Sequence, residues 1–149
     1  MRSFGICAAM TTSIDSNNIV ALWRDTHSSN TIAAKLLHQA QKRGKLVVSA
    51  PVYAELMADP DRTESELDEF ASDTGIAVEW TIEEVIWREA GRAYLDYARR
   101  RIRSGGGPPR RVLADFIIGA HALIRGYTLL TLNRRDYVAA FPTLPIITV

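Results

Sequence analysis

The chain has 149 residues, 47% of them hydrophobic and 23% charged, which suits one soluble globular domain large enough for a proper core. Its only cysteine, Cys7, excludes an internal disulfide or a cysteine-based zinc site and fits a reducing, cytoplasmic setting, and no apolar run is long enough to span a membrane. The net charge of +1 conceals an asymmetry: residues 1–54 carry six Lys/Arg against two acids, residues 55–97 three against thirteen, and residues 98–149 nine against two.

Residues 1–11 read as an N-terminal extension, with the folded domain running from 12 to 149. Thr12–Ile14 is a short strand candidate, and Asn17–Trp23 follows as a helix. Asn30–Arg43 places Ile32, Leu36, Leu37 and Ala40 on one helical face and ends at Gly44. Leu46–Ser49 is a brief β-branched run, and Ser49 before Pro51 predicts a helix start, with Glu55 in the helix that follows. Ser65–Ser72 is an acidic helix candidate with Leu67 and Phe70 facing inward. Ile76–Trp80 reads as a third strand. Thr81 opens a long helix with Glu83 and Glu84 in its first turn and Arg99–Arg103 in its last, a distribution that suits the helix dipole.

Ser104–Pro109 is a glycine- and proline-rich loop. It lacks a Gly-Lys-Ser/Thr sequel, so it is a flexible rim rather than a phosphate loop of the Walker type. Val112–Ile124 is apolar and helical, Tyr127–Leu132 is the clearest buried strand, Arg135–Phe141 a short helix and Pro145–Val149 a last strand. Strands alternating with helices over short connections predict an α/β fold on a parallel sheet. In such sheets the functional crevice lies beyond the carboxyl ends of the strands.

Four acids stand at the ends of apolar runs, namely Asp15, Glu55, Asp115 and Asp136. Burying an ionised carboxylate without a partner is costly, so if these ends converge a divalent cation on oxygen ligands is the natural compensation. Taken singly, Asp15 also fits a helix N-cap, Glu55 a helix-surface glutamate and Asp136 a turn or cap. Asp115 is harder to explain structurally, because it interrupts an apolar helix and, with Asp136, stands alone in an arginine-rich segment. Thr131 and Asn133 add short oxygen donors at the end of the buried strand, placed to orient a ligand or a metal-bound water. Arg110, Arg111, Arg134 and Arg135 flank the proposed pocket and suit either contacts to the phosphates of a polyanion or plain solubility. His27, His38 and His121 lack metal-ligand spacing; His121 reads as a packed helix residue and the other two as surface. Trp23, Trp80 and Trp87 read as core or interface residues.

The pieces IDSNNIVALW, SAPVYAEL, RVLADFIIGAHAL and LLTLNRRDY, in that order and spacing, resemble the PIN domain and within it the VapC-type toxins of bacterial toxin–antitoxin pairs. The resemblance runs from Thr12 to the C-terminus. It implies a three-layer α/β/α domain with a central parallel sheet and a Mg²⁺- or Mn²⁺-dependent ribonuclease site. Asp15 resembles the family's first acidic ligand, Glu55 its second acid, Asp115 its third, and Asp136 the acid of a closing T-x-N-x-x-D motif whose hydroxyl is Thr131. Asn133 stands where some relatives carry an aspartate. On this reading Asp15, Asp115 and Asp136 are the metal ligands, with Glu55 and Asp136 completing the site or orienting the attacking water. The resemblance further implies a homodimer and a cognate antitoxin whose tail occupies the pocket, the acidic 55–97 region contributing to one of those surfaces. Two rivals remain open from the residues: a non-catalytic RNA-binding or assembly module on the same fold, and a metal-dependent nuclease acting on DNA.

Overall fold

Short runs of β-branched and aliphatic residues build the centre of the molecule. In the computed structural model, which describes residues 10–24, 26 and 28–149, they form β1 (Met10–Ile14), β2 (Gly44–Ser49), β3 (Ile76–Glu79), β4 (Thr128–Leu130) and β5 (Ile146–Ile147). The sheet order is β3-β2-β1-β4-β5, and every pairing is parallel. Seven helices flank the sheet among the described residues, in the three-layer α/β/α arrangement. They are α1 (Ser16–Trp23), α2 (Asn30–Arg43), α3 (Ala50–Met57), α4 (Glu64–Thr74), α5 (Glu84–Arg103), α6 (Leu113–Arg125) and α7 (Arg135–Val138). None is long and apolar enough to cross a membrane.

β1 takes in Met10 and Thr11, which pair with Gly44 and Lys45, so the strand starts two residues before the one read from the sequence. Residues 1–9 with Cys7, and the surface reading of His27, lie outside the described residues. α2 has the predicted bounds and buries Ala33, Leu36, Leu37 and Ala40 along one stripe, with Ile32 at its margin. α4 opens on a capping box in which Thr63 and Glu66 exchange hydrogen bonds. Leu67 faces the core from that helix, and Phe70 meets the ring of Trp23 edge-on.

Two expectations are corrected. The long helix α5 begins at Glu84 rather than Thr81, because residues 80–83 leave β3 as an extended connection whose carbonyls serve other groups: Arg125 reaches the Thr81 carbonyl and Trp87 Nε1 donates to that of Ile82. Trp80 and Trp87 therefore lie on the surface and not in the core, at 63% and 50% exposure, with Trp80 edge-on to Tyr53. The glycine-rich loop is also tied down. Arg101 donates to the carbonyls of Pro108 and Gly106, and the Tyr97 hydroxyl accepts from the backbone N–H groups of Arg110 and Arg111.

α6 carries the most continuous burial, from Phe116 to Ala122. Gly119 lies against the Phe141 ring so closely that a methyl group there would overlap it, which lets the helix seat deep in the fold. On the same helix His121 is packed as read from the sequence, but it also makes a polar contact. Its Nε2 lies 2.9 Å from Glu79 Oε1, where Arg125 also donates at 3.1 Å, while the Tyr127 hydroxyl donates to Oε2 at 2.6 Å. Burial pushes the His121 imidazole below its usual range and keeps it neutral, so that contact is a hydrogen bond rather than an ion pair. Glu79 thus fastens the edge strand β3 to α6 and to the start of β4. Replacing it with alanine strands a hydroxyl and an imidazole without their acceptor. Glu79→Ala is expected to lose about 1–3 kcal/mol of stability in urea denaturation, with an unchanged m value.

Candidate active site

Parallel pairing brings the ends of β1, β2 and β4 to one edge of the sheet. The Asp15 N–H donates to the Leu130 carbonyl at 2.9 Å and the Thr131 N–H to that of Ile147 at 3.1 Å, so the ladder continues one residue past β1 and β4. Asp15 is therefore held by the sheet on one side and opens α1 on the other. It has extended backbone angles, and its Oδ1 accepts the Ser16 N–H at 2.8 Å. The capping role and the site role coexist in one carboxylate.

The other oxygen of Asp15 takes two hydroxyls. Thr131 Oγ1 donates to Oδ2 at 2.9 Å and the Tyr137 hydroxyl at 2.8 Å. Thr131 is itself oriented by its neighbours, since its Oγ1 accepts from Asn17 Nδ2 at 3.2 Å and from the Asn133 N–H at 3.0 Å. Asn17 completes the link by accepting the Leu132 N–H at 3.1 Å. The threonine hydroxyl expected at this strand end is thus directed at an acid of the site. Asn133 contributes its backbone N–H, and its side chain is exposed. Sequence reasoning missed Ser16, Asn17 and Tyr137. Their signals lay inside the quoted motifs, one and two residues after Asp15 and one residue after Asp136, as polar groups with no stated partner.

Glu55 projects from α3, half-buried, and its Oε1 accepts the Ser16 hydroxyl at 2.9 Å. Asp115 is the third residue of α6, half-buried, and its carboxylate has no hydrogen-bond or ion-pair partner among the described residues. Burial, followed by the charges of Asp15, Asp136 and Glu55, pushes its pKa up to about 6. Burial likewise raises Asp15, against the opposing donors Tyr137, Thr131 and Ser16, and raises Glu55 against Ser16. The acids are therefore close enough to feel one another's charge.

Asp136 differs from the other three. Arg111 donates to its Oδ1 at 2.9 Å and also to the carbonyls of Arg135 and Asp136. This joins the segment before α6 to the start of α7 and commits the Arg111 side chain inside the protein. Arg110, Arg134 and Arg135 are exposed, with no carboxylate partner among the described residues. Arg134 and Arg135 line a cleft of about 410 Å³ that also borders Asp136 and Leu132.

A divalent ion suits this donor set chemically. The acids supply oxygen only, which selects hard cations, and Asp115 has no direct ion pair, the Arg111 charge acting on it from a distance more weakly than burial and the three acids. Among the described residues, no three carboxylates or imidazoles are drawn together closely enough to enclose an ion unaided. An ion held here would therefore take one or two protein carboxylates and complete its shell with water.

A profile of the PIN domain matches residues 13–142. No curated protein matches the chain. Similar solved structures include VapBC-1 from nontypeable Haemophilus influenzae, 21% identical with a TM-score of 0.65, covering 93% of this chain and 98% of that one. Another is VapBC2 from Rickettsia felis bound to a DNA fragment from its promoter, 20% identical with a TM-score of 0.63 and the same coverage. VapBC from Salmonella typhimurium, solved bound to DNA, is 17% identical with a TM-score of 0.61.

Proposed function

The chain belongs to the PIN domain family, and on that premise we propose that it is a Mg²⁺- or Mn²⁺-dependent endoribonuclease, the cytoplasmic toxin of a toxin–antitoxin pair. The observation that carries this reading is Asp115, a half-buried carboxylate without a partner, held among three other acids at the open edge of a parallel sheet. A structural ion pair would have placed a cation of the chain in contact with it. Its three acidic neighbours add negative charge, and Arg111, paired with Asp136, offsets only part of it.

In this reading Asp15 and Asp115 hold the ion and Asp136 contributes from its Arg111-bound position. A bound divalent ion would supply Lewis-acid polarisation of the phosphate and activation of water. The protein's own groups do the rest. Thr131 and Asn133 fix the Asp15 end of the site, the first by its hydroxyl and the second through its backbone N–H. Glu55 keeps one oxygen on Ser16 and has the other free of hydrogen bonds among the described residues, positioned to orient a water and accept its proton.

The RNA strand would run past Asp136 into the cleft lined by Arg134 and Arg135. Arg111 contributes through Asp136 rather than through phosphate. Arg134→Gln and Arg135→Gln are therefore expected to raise KM with little change in kcat, and to flatten the log–log salt dependence of RNA binding by about 0.7 per lost contact. Arg111→Gln should instead lower kcat, because it releases Asp136. Kinetics at several salt concentrations separate the two patterns.

Toxins of this kind act as homodimers restrained by an antitoxin, and we extend both partners to this chain. The structures it resembles are VapBC complexes, and the exposed Trp80, Trp87 and Ile124 supply apolar surface of the kind such contacts bury.

The test is to incubate antitoxin-free protein and Mn²⁺ with labelled total tRNA and rRNA, and in parallel with single- and double-stranded DNA. Discrete cuts in RNA alone support the reading. Cutting of DNA would make it a DNA nuclease. RNA binding that survives EDTA, without cutting, would make it a binding module.

A further inference from the structure

Tyr137 occupies a place that packing alone does not explain. It is among the largest fully buried side chains, at 1% exposure, yet it carries a hydroxyl, and that hydroxyl is spent on Asp15. A phenylalanine would fill the same space without a polar atom to satisfy. The residue also follows Asp136 directly, so one short helix presents two groups to the site: the Asp136 carboxylate on Arg111 and the Tyr137 hydroxyl on Asp15.

The consequence lies in how many directions Asp15 has left. A carboxylate offers about four lone-pair positions, two on each oxygen. Oδ2 receives both hydroxyls, from Thr131 and Tyr137, and is filled. Oδ1 receives only the Ser16 N–H. One position remains, on Oδ1, and the two hydroxyls on Oδ2 fix the plane in which it points. We propose that Tyr137 is a positioning residue: with Thr131 it locks Asp15 into a one-point ligand that presents Oδ1 alone to the divalent ion of the site. This role rests on the metal-dependent reading above. It assigns Tyr137 no contact with substrate and no proton to move.

The inference separates Tyr137 from an ordinary core aromatic. Without its hydroxyl, Oδ2 regains a free lone pair and the carboxylate can turn about its bond to Cβ, so Asp15 is no longer fixed in one mode. Outer partners of metal ligands typically contribute 10–100-fold to metal affinity. Thr131 and Tyr137 share one acceptor oxygen, so removing both should cost less than the two separate losses combined.

The experiment is a Mn²⁺ titration followed by electron paramagnetic resonance, without RNA, on wild type, Tyr137→Phe, Thr131→Val and the double variant. Ile76→Val, a core truncation on the edge strand far from Asp15, is the control for general loosening. Tyr137→Phe is expected to weaken Mn²⁺ binding by roughly 10-fold or more, the double variant to show a non-additive loss, and Ile76→Val to bind as wild type does. Wild-type affinity in Tyr137→Phe overturns the positioning role while leaving the nuclease reading intact. Equal weakening in Ile76→Val overturns it as well, by reducing Tyr137 to packing. Absence of Mn²⁺ binding in the wild type refutes the metal reading itself and this role with it.

Discussion

Asp115→Asn is expected to abolish RNA cleavage, by roughly 10²–10⁴-fold or beyond detection, and at the same time to make the metal-free protein more stable at neutral pH. The two effects have one origin. Asp115 sits half-buried among Asp15, Glu55 and Asp136 with no cation in contact with it, and burial followed by those charges pushes its pKa up to about 6 from an ordinary value of 3.8 against the weaker pull of Arg111. The folded state therefore holds a proton that the unfolded chain releases between those values. Where the native state binds more protons, stability falls as pH rises. Metal-free wild type should lose stability from about pH 4 to about pH 6 on this account and level off above. Asp115→Asn lacks the share of that limb due to Asp115 and keeps the part that the raised Asp15 and Glu55 contribute. Because the group is half-exposed, solvent screens part of the effect, and the shape of the pH profile is the diagnostic. Thermal unfolding in EDTA from pH 4 to 8 reads it. Added Mn²⁺ should restore the wild type and leave the variant unmoved.

Asp15→Ala should combine the largest loss of stability in the site with loss of activity. Three donors converge on this carboxylate: the Ser16 N–H, the Thr131 hydroxyl and the Tyr137 hydroxyl. Removing the cap costs about 1 kcal/mol, and each buried hydroxyl left without an acceptor costs about 1–3 kcal/mol. Relief of a carboxylate that burial disfavours offsets part of this. The net expectation is a loss of about 2–4 kcal/mol, read from denaturant midpoints. Asp15→Asn keeps one acceptor oxygen, which can serve the two hydroxyls, while its NH2 cannot accept from the Ser16 N–H. It should lose less stability than Asp15→Ala while still losing Mn²⁺ binding, which distinguishes the site's chemistry from its role in the fold.

Much of the fold could be read before the structure because local signals and global packing agree. α2 has clean periodicity and a glycine stop, and its bounds came out as read. The start of α5 did not, because Thr81 resembles a cap while the chain uses its carbonyl for Arg125. No propensity encodes such a tertiary claim on a backbone group. Trp80 and Trp87 were read as core or interface from hydrophobicity, and their exposure depends on how the connection after β3 turns.

The candidate site shows the same division. Its four acids were visible because carboxylates at strand ends and inside apolar helices conflict with burial. Their supporting groups were not. Tyr137 looks like any core aromatic until its hydroxyl is seen to reach Asp15, 122 positions away in the chain. Arg111 looks like one of several free arginines until it folds back onto Asp136. Contacts between residues distant in sequence leave no periodic trace, whereas the chemistry of single positions does.

The central claim is that these acids form a cation site, and the most direct measurement is Mn²⁺ binding to purified wild type and Asp115→Asn at pH 7.5 and pH 5. The account predicts binding by the wild type at pH 7.5, weaker binding at pH 5 where Asp115 takes up its proton, and little or none in Asp115→Asn at either pH. Binding of equal strength in both proteins at both pH values would contradict it.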